Sequence, residues 1–224
     1  IGRAAALSFA AHGATVILLG KTIKKLEAVY DEIEQAGFTQ PAIYPLKLGG
    51  ATLEEYHTLR ETIEREFGRL DGLLHNAGIL GQRKSILDSS VADWNDVLNV
   101  NLTANFMLTK ALLPLLQRSS DASIVFTSSG VGRKGRAFWG AYAVSKFGVE
   151  GLAQVLADEL DTTTGIRVNC INPGATNTAM RRVAYPAESP ATNPSPEQIM
   201  PVYLYLIGPD SLGVTGQSLD AQHK

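Results

Sequence analysis

Apolar residues along this chain fall into two alternating textures. Short unbroken runs rich in Val, Ile and Leu alternate with longer stretches in which apolar positions recur every three or four residues, the signatures of buried strands and one-sided helices. The pattern predicts a helix over Ala4 to Ala11 with a glycine stop at Gly13, then a strand over Thr15 to Leu19 bounded by Gly20. A helix over Ile23 to Gln35 stopped by Gly37 and a strand over Ala42 to Leu46 follow. The next helix, Leu53 to Phe67, is opened by Thr52 with Glu55 three residues on, the spacing of a capping box, and is ended by Gly68. A strand at Leu70 to Leu74, a long helical pattern from Asp93 to Gln117 and a strand at Ser123 to Thr127 come next. A second long helix runs from Ala141 to Asp158 and beyond, a strand from Ile166 to Ile171 ends on Asn172-Pro173-Gly174, and Gly213 to Leu219 predicts a last short strand.

Repeated strand–helix order predicts an α/β fold: a doubly wound parallel sheet with helices on both faces, built as one domain over residues 1–224. Sheets of this kind bind ligands beyond the carboxyl ends of their strands, so the chemistry is expected in the loops that follow strands. From Thr178 to Glu197 the periodicity lapses around Pro186, Pro190, Pro194 and Pro196. That stretch reads equally as a lid over the ligand face or as a solvated surface connection.

Composition narrows the function classes. Lys plus Arg is 20 and Asp plus Glu is 22, a net charge of −2, so no global basic field favours nucleic acid or an anionic membrane. The single cysteine, Cys170, excludes an internal disulfide framework and a Cys-rich zinc site, and reads as a small buried apolar residue. No apolar run approaches the roughly 18 residues of a membrane span. The expectation is a cytoplasmic protein with no metal.

Tyr142 and Lys146 are spaced i, i+4 at the start of a predicted helix, which puts both side chains on one face. An ammonium beside a phenol favours the phenolate and suits the pair to proton transfer near neutral pH, although an exposed helical pair without function has the same spacing. Ser129 lies thirteen positions earlier, just after a predicted strand, where a hydroxyl can hold a carbonyl oxygen. Asn101 interrupts the apolar stretch Val97 to Leu108. An unpartnered amide is costly to bury, so Asn101 is either a satisfied core residue that fixes a helix bend or part of the same site.

Taken in order, Asn76-Ala77-Gly78, Asn101, Ser129, Tyr142-Ala-Val-Ser-Lys146 and Asn172-Pro173-Gly174 resemble the short-chain dehydrogenase/reductase family. The resemblance runs from Ile1 to about Leu219. Local segments such as His75-Asn-Ala-Gly, Gly132-Arg-Lys-Gly-Arg136 and Trp139-Gly-Ala-Tyr142 look most like the bacterial YciK-type branch. The resemblance implies a Rossmann-like fold and hydride transfer between a nicotinamide cofactor and a carbonyl or alcohol carbon. By carry-over, Tyr142 is the general acid or base, Lys146 lowers its pKa and bonds the nicotinamide ribose, and Ser129 orients the substrate oxygen. Asn101 holds a water that links Lys146 to solvent. Asn76, Ala77 and Gly78 line the adenosine-ribose side, Pro173 and Gly174 shape the nicotinamide pocket, and Thr178 contacts the carboxamide. The two long helices correspond to those by which the family forms dimers and tetramers, so a homodimer or homotetramer is expected by analogy.

After the second strand of the family fold the chain reads Leu19-Gly20-Lys21-Thr22. An acid there would bond a ribose 2′-hydroxyl; its absence, with Lys21 able to neutralise a 2′-phosphate, favours NADP(H) over NAD(H). Two departures stand out. Of the family's Thr-Gly-x-x-x-Gly-x-Gly turn only Ile1-Gly2 is present, which suggests a piece of a longer protein whose first strand precedes it. Lys47 stands where the family places Asp or Asn to recognise adenine, and a lysine only donates hydrogen bonds. Arg133, Lys134 and Arg136 form a basic cluster that reads as solvated or as a docking site for an acidic substrate or carrier, and Phe138 with Trp139 suggests an apolar pocket. Beside the NADP(H)-dependent carbonyl reductase or alcohol dehydrogenase stand a 3-oxoacyl carrier-protein reductase, a dinucleotide-sensing module without turnover, and an inactive truncated form.

Overall fold

The computed structural model describes residues 1–161 and 164–222. Helix α1 (Gly2–Ala11) precedes strand β1 (Ile17–Gly20), α2 (Ile23–Gln35), β2 (Ala42–Pro45), α3 (Leu53–Phe67) and β3 (Gly72–His75). Then come α4 (Val91–Leu98), α5 (Ala104–Leu116), β4 (Ser123–Thr127), α6 (Gly140–Asp161), β5 (Arg167–Asn172), α7 (Ala179–Ala184), α8 (Met200–Ile207) and β6 (Ser218–Asp220). All strand pairs among the described residues are parallel. The parallel strands form two ladders: β1 pairs with β2, and the other four run β3-β4-β5-β6, with no ladder between β1 and β3 among the described residues.

Helices cover both faces, as the unbroken apolar strands require. On one side α3, α5 and α6 bring Leu59, Leu112, Leu115, Val149 and Ala153 onto Ile124, Phe126 and Val168. On the other, α8 packs Tyr203 and Leu206 against Val125 and Ile171. Helix α1 joins the two sheets: Ala4 and Ala5 belong to the α8 cluster, whereas Ala6 and Ala10 pack with Leu18 and Ile33 of the β1–α2 unit. Its run of alanines lets it lie close to both. Every residue of β4 is buried, which explains why Ser123 to Thr127 carries no polar alternation.

Helix α3 has the bounds its caps predict. The Thr52 hydroxyl accepts the Glu55 N–H at 3.3 Å, the Thr52 N–H donates to Glu55 Oε2 at 2.7 Å, and Gly68 closes the helix at φ 74°. The long helical pattern Asp93 to Gln117 is helical without a break: Ser90 caps α4 through the Asp93 N–H, and α4 passes into α5 through a wide π turn over Asn99–Thr103. The final strand starts later than predicted, because Gly213 and Gly216 hold φ near 80° and 69° in turns, where the left-handed region suits glycine.

Two helices escape the pattern. Helix α7 lies inside the proline-containing stretch and is started by Thr178, whose hydroxyl accepts the Arg181 N–H at 3.1 Å. Helix α8 is apolar along nearly its whole length, so it has no 3.6-residue contrast to read.

Candidate active site

A cleft of about 800 Å³ opens at the carboxyl ends of the strands. Residues just after five of them line it: Lys21 after β1, Leu46 and Lys47 after β2, Asn76 to Gly78 after β3, Ser128 and Ser129 after β4, and Pro173 and Gly174 after β5. Tyr142 and Lys146 enter from the first turns of α6, and Thr178 from the cap of α7. Ile1 also lines the cleft. Of the residues expected at the site, Gly2 and Asn101 stand behind this lining. A Cβ on Gly2 would meet Asn76 Nδ2 at 2.7 Å, so Gly2 is the floor against which Asn76 rests.

Helix α6 sets Tyr142 and Lys146 on one face, as their spacing predicts. Lys146 is buried, and its Nζ donates to the Thr127 carbonyl at 2.7 Å. Burial pulls its pKa down to about 8, opposed by the nearby Cys170 and Glu150. Tyr142 is half-buried; burial raises its pKa, and a hydrogen bond with the Ser129 hydroxyl pulls in the opposite direction. Lys146 Nζ stands 5.7 Å from the Tyr142 ring centroid.

Asn101 sits in the π turn with no exposed surface. Its Oδ1 accepts the Ile79 N–H at 2.8 Å, and its Nδ2 donates to the Ile79 carbonyl at 2.9 Å and to Ser145 Oγ at 3.0 Å. Both amide donors are therefore spent within the protein. The side chain pins the segment after Asn76-Ala77-Gly78 to α6 at the wall of the cleft. Its main-chain carbonyl accepts from Asn105 Nδ2 at 2.8 Å. His75, at the end of β3, bonds Thr109 Oγ1 at 2.8 Å and stacks on Phe126, and burial lowers its pKa to about 3, so it is a neutral core residue.

The far end of the cleft is cationic. Lys21, Lys25 and Lys47 line it, and none has an ion-pair partner among the described residues. Lys25 lies in the first turn of α2, four residues after Lys21 in the loop that precedes the helix. The residues suit a phosphorylated dinucleotide. The lysines match a phosphate, and Gly78 leaves room where a Cβ would stand 3.3 Å from Asn101 Oδ1 and 3.8 Å from Lys146 Nζ. Met180, Arg181 and Ala184 of α7 also line the cleft; they were not legible because α7 itself was not.

The short chain dehydrogenase family model matches residues 1–189. The chain belongs to that family. It is 51% identical to the uncharacterized oxidoreductase YciK of Escherichia coli K12 over 99% of this chain and 87% of that protein. A Pseudomonas syringae structure described as a short chain dehydrogenase superposes with a TM-score of 0.97 at 60% identity, covering 99% of this chain and 90% of that one. A family member from Escherichia coli CFT073, crystallised as a complex with NADPH, superposes at 0.96 with 51% identity over 99% and 92%. The short-chain dehydrogenase fold and the branch suggested by the local segments are thus those of this chain.

Proposed function

We propose that this short-chain dehydrogenase interconverts a ketone or aldehyde and its alcohol with NADP(H), using Tyr142 as the general acid or base. The observation that carries the reading is one cleft holding Ser129, Tyr142 and Lys146 at one end and the unpaired Lys21, Lys25 and Lys47 at the other. The Escherichia coli CFT073 relative with NADPH supports the choice of cofactor.

The lysines would hold the 2′-phosphate. Asn76 to Gly78 would face the adenosine ribose, Tyr142 and Lys146 the nicotinamide ribose, and Pro173, Gly174 and Thr178 the carboxamide. When bound, the cofactor supplies or accepts hydride. Everything else is done by this chain. Ser129 holds the substrate oxygen beside the Tyr142 phenol. Because burial keeps that phenol protonated, it donates its proton to the oxygen during reduction and recovers it during oxidation. Asn101 keeps the Ile79 segment, and with it the cleft wall, against α6.

A carrier-protein reductase would need the basic cluster free for docking. Arg133 is committed instead to Asp220 at 2.7 Å and to Ser218 Oγ at 2.8 Å. A sensor without turnover has no use for the bonded Ser129–Tyr142 pair. Assembly as a homodimer or homotetramer through α5 and α6 is supported by Phe106, Phe147 and Val155, which those helices leave exposed. Among the described residues no helix is long and apolar enough to cross a membrane.

Fluorescence titration with NADPH and NADH, followed by an assay of carbonyl compounds at the nicotinamide absorbance, tests the reading. Tight NADPH binding and turnover are expected. Tyr142→Phe should then cut kcat by about 10³-fold while leaving NADPH affinity within a factor of a few. A variant with near-normal turnover would overturn the role of Tyr142.

A further inference from the structure

Strand β6 is parallel to β5 and pairs with its carboxyl half, Cys170 to Asn172 against Ser218 to Asp220. Parallel neighbours deliver their carboxyl ends to the same side of a sheet, so the residues that follow β6 stand beside those that follow β5. Of the residues after β5, Pro173, Gly174, Thr176 and Thr178 line the cleft. Ala221 and Gln222, after β6, do not line it, yet they are fastened to the loop that does.

Asp220 begins the connection. Its Oδ1 accepts from Asn172 Nδ2 at 2.7 Å and from Arg133 at 2.7 Å, and the Ala221 N–H donates to the Asn172 carbonyl at 2.9 Å. The chain therefore leaves β6 in register with the last residue of β5. Gln222 comes next. Its Nε2 donates to the Pro173 carbonyl at 2.7 Å and to the Ala175 carbonyl at 3.0 Å, with Thr176 Oγ1 at 3.4 Å. An amide nitrogen carries two N–H groups, and these carbonyls take both. The loop has few bonds of its own: the Gly174 N–H donates to Asn172 Oδ1 at 3.1 Å, and the Thr176 hydroxyl to the Pro173 carbonyl at 3.1 Å.

Gly174 is fitted to this arrangement. It holds φ 70°, and a Cβ there would stand 2.8 Å from Gln222 Nε2 and 3.0 Å from its Cδ. Glycine takes the left-handed turn without strain and leaves room for the amide. The bonds also orient a peptide plane. With the Ala175 carbonyl drawn to Gln222, the N–H of the same trans peptide, that of Thr176, is turned to the opposite side. That N–H has no hydrogen-bond partner among the described residues.

We infer that Gln222 is a positioning residue for the nicotinamide end of the cleft: its amide holds Pro173 to Thr176 in the shape that receives the nicotinamide half of the cofactor, without itself touching the cofactor. Without those two donors the Pro173 and Ala175 carbonyls turn to water and the loop samples other shapes. Ordering it again on binding costs affinity, and that cost falls only on a ligand that contacts the loop.

This inference rests on the reading that the nicotinamide lies against Pro173 and Gly174, and the experiment separates the two. The protein and its Gln222→Met variant, equal in length but without donors, are titrated by calorimetry with NADPH and with adenosine 2′,5′-bisphosphate, which carries the 2′-phosphate end of the cofactor but no nicotinamide. Gln222→Met should weaken NADPH by about tenfold and the bisphosphate by less than about twofold. In turnover, KM for NADPH should rise with the Kd. Gln222→Glu, which sets a carboxylate against the same two carbonyls, should widen the difference between the ligands at least as far. Because both ligands are measured on one sample, damage to the whole fold moves them together and is told apart from damage to the loop. Equal weakening of both ligands, or none in either variant, would overturn the role of Gln222 and leave the reductase standing. A parent protein that gains no affinity from the nicotinamide half, or that binds neither ligand, would end both.

Discussion

Replacing Asn101 by Ala tests whether this residue works as a clamp on the Ile79 segment. The side chain is fully buried and makes three bonds, to the Ile79 N–H, the Ile79 carbonyl and Ser145 Oγ. Ser145 keeps a partner in the substitution, since its hydroxyl already donates to the Tyr142 carbonyl at 2.7 Å. Two backbone groups are left without one. A buried polar group deprived of its partner costs about 1–3 kcal/mol, and Ile79 borders the cleft, where water can reach it, so the lower half of that range applies to each. The loss is then about 3 kcal/mol with the small cavity included. For a chain of this size about 1 kcal/mol moves Tm by roughly 2–4 °C, which gives a fall of about 6–12 °C. Thermal unfolding by circular dichroism measures it, and hydrogen exchange locates it: the Ile79 amide should exchange much faster in the variant, with amides of β4 and β5 accelerated only by the factor that the fall in global stability sets. A Tm within about 2 °C of the parent, together with lost activity, would refute the clamp and return Asn101 to the water-holding role that the family resemblance implies.

Lys146 has its pKa pulled down to about 8 by burial, so its ammonium is lost as pH rises through that value, and kcat/KM should decline on the alkaline side with an apparent pKa near it; an unchanged rate up to pH 10 would count against a charged Lys146 in the reaction. Lys21→Ala should weaken NADPH about tenfold more than NADH, and equal loss for both would remove the lysine cluster from cofactor selection. Gly132→Ala would set a Cβ 2.9 Å from the Lys146 main-chain carbon and oxygen; overpacking of this kind costs about 1–3 kcal/mol, and both a lower Tm and a displaced Lys146 with weaker activity are expected. Glu188→Gln should release Arg181 from its bidentate pair and raise the rate of proteolysis within residues 178–196, with the global Tm little changed; unaltered cleavage would show that the pair does not fasten this segment.

How much was readable in the sequence depends on how local its cause was. The capping box at Thr52, the stop at Gly68 and the unbroken run Ser123 to Thr127 act over a few residues, and those elements stand within a residue or two of where the pattern puts them. The i, i+4 spacing of Tyr142 and Lys146 and the place of Ser129 after a strand fixed which side chains face the ligand end, because helix pitch and strand polarity are properties of the backbone alone. The sequence also carried the family. What local rules could not supply were the features that need partners far away in the chain. The π turn at Asn99–Thr103 exists alongside bonds from Asn101 to Ile79, 22 residues distant. Helix α8 is apolar on all sides and takes its identity from burial against β4 and α1. The burial that raises the pKa of Tyr142 is set by tertiary packing, which its spacing to Lys146 does not reveal. The gathering of Arg83, Arg136 and Arg181 around Trp139 and Tyr185 joins segments up to 101 residues apart. Short-range sterics and hydrogen bonds are written residue by residue, whereas burial, long-range charge and the meeting of distant loops come into being only when the chain closes on itself.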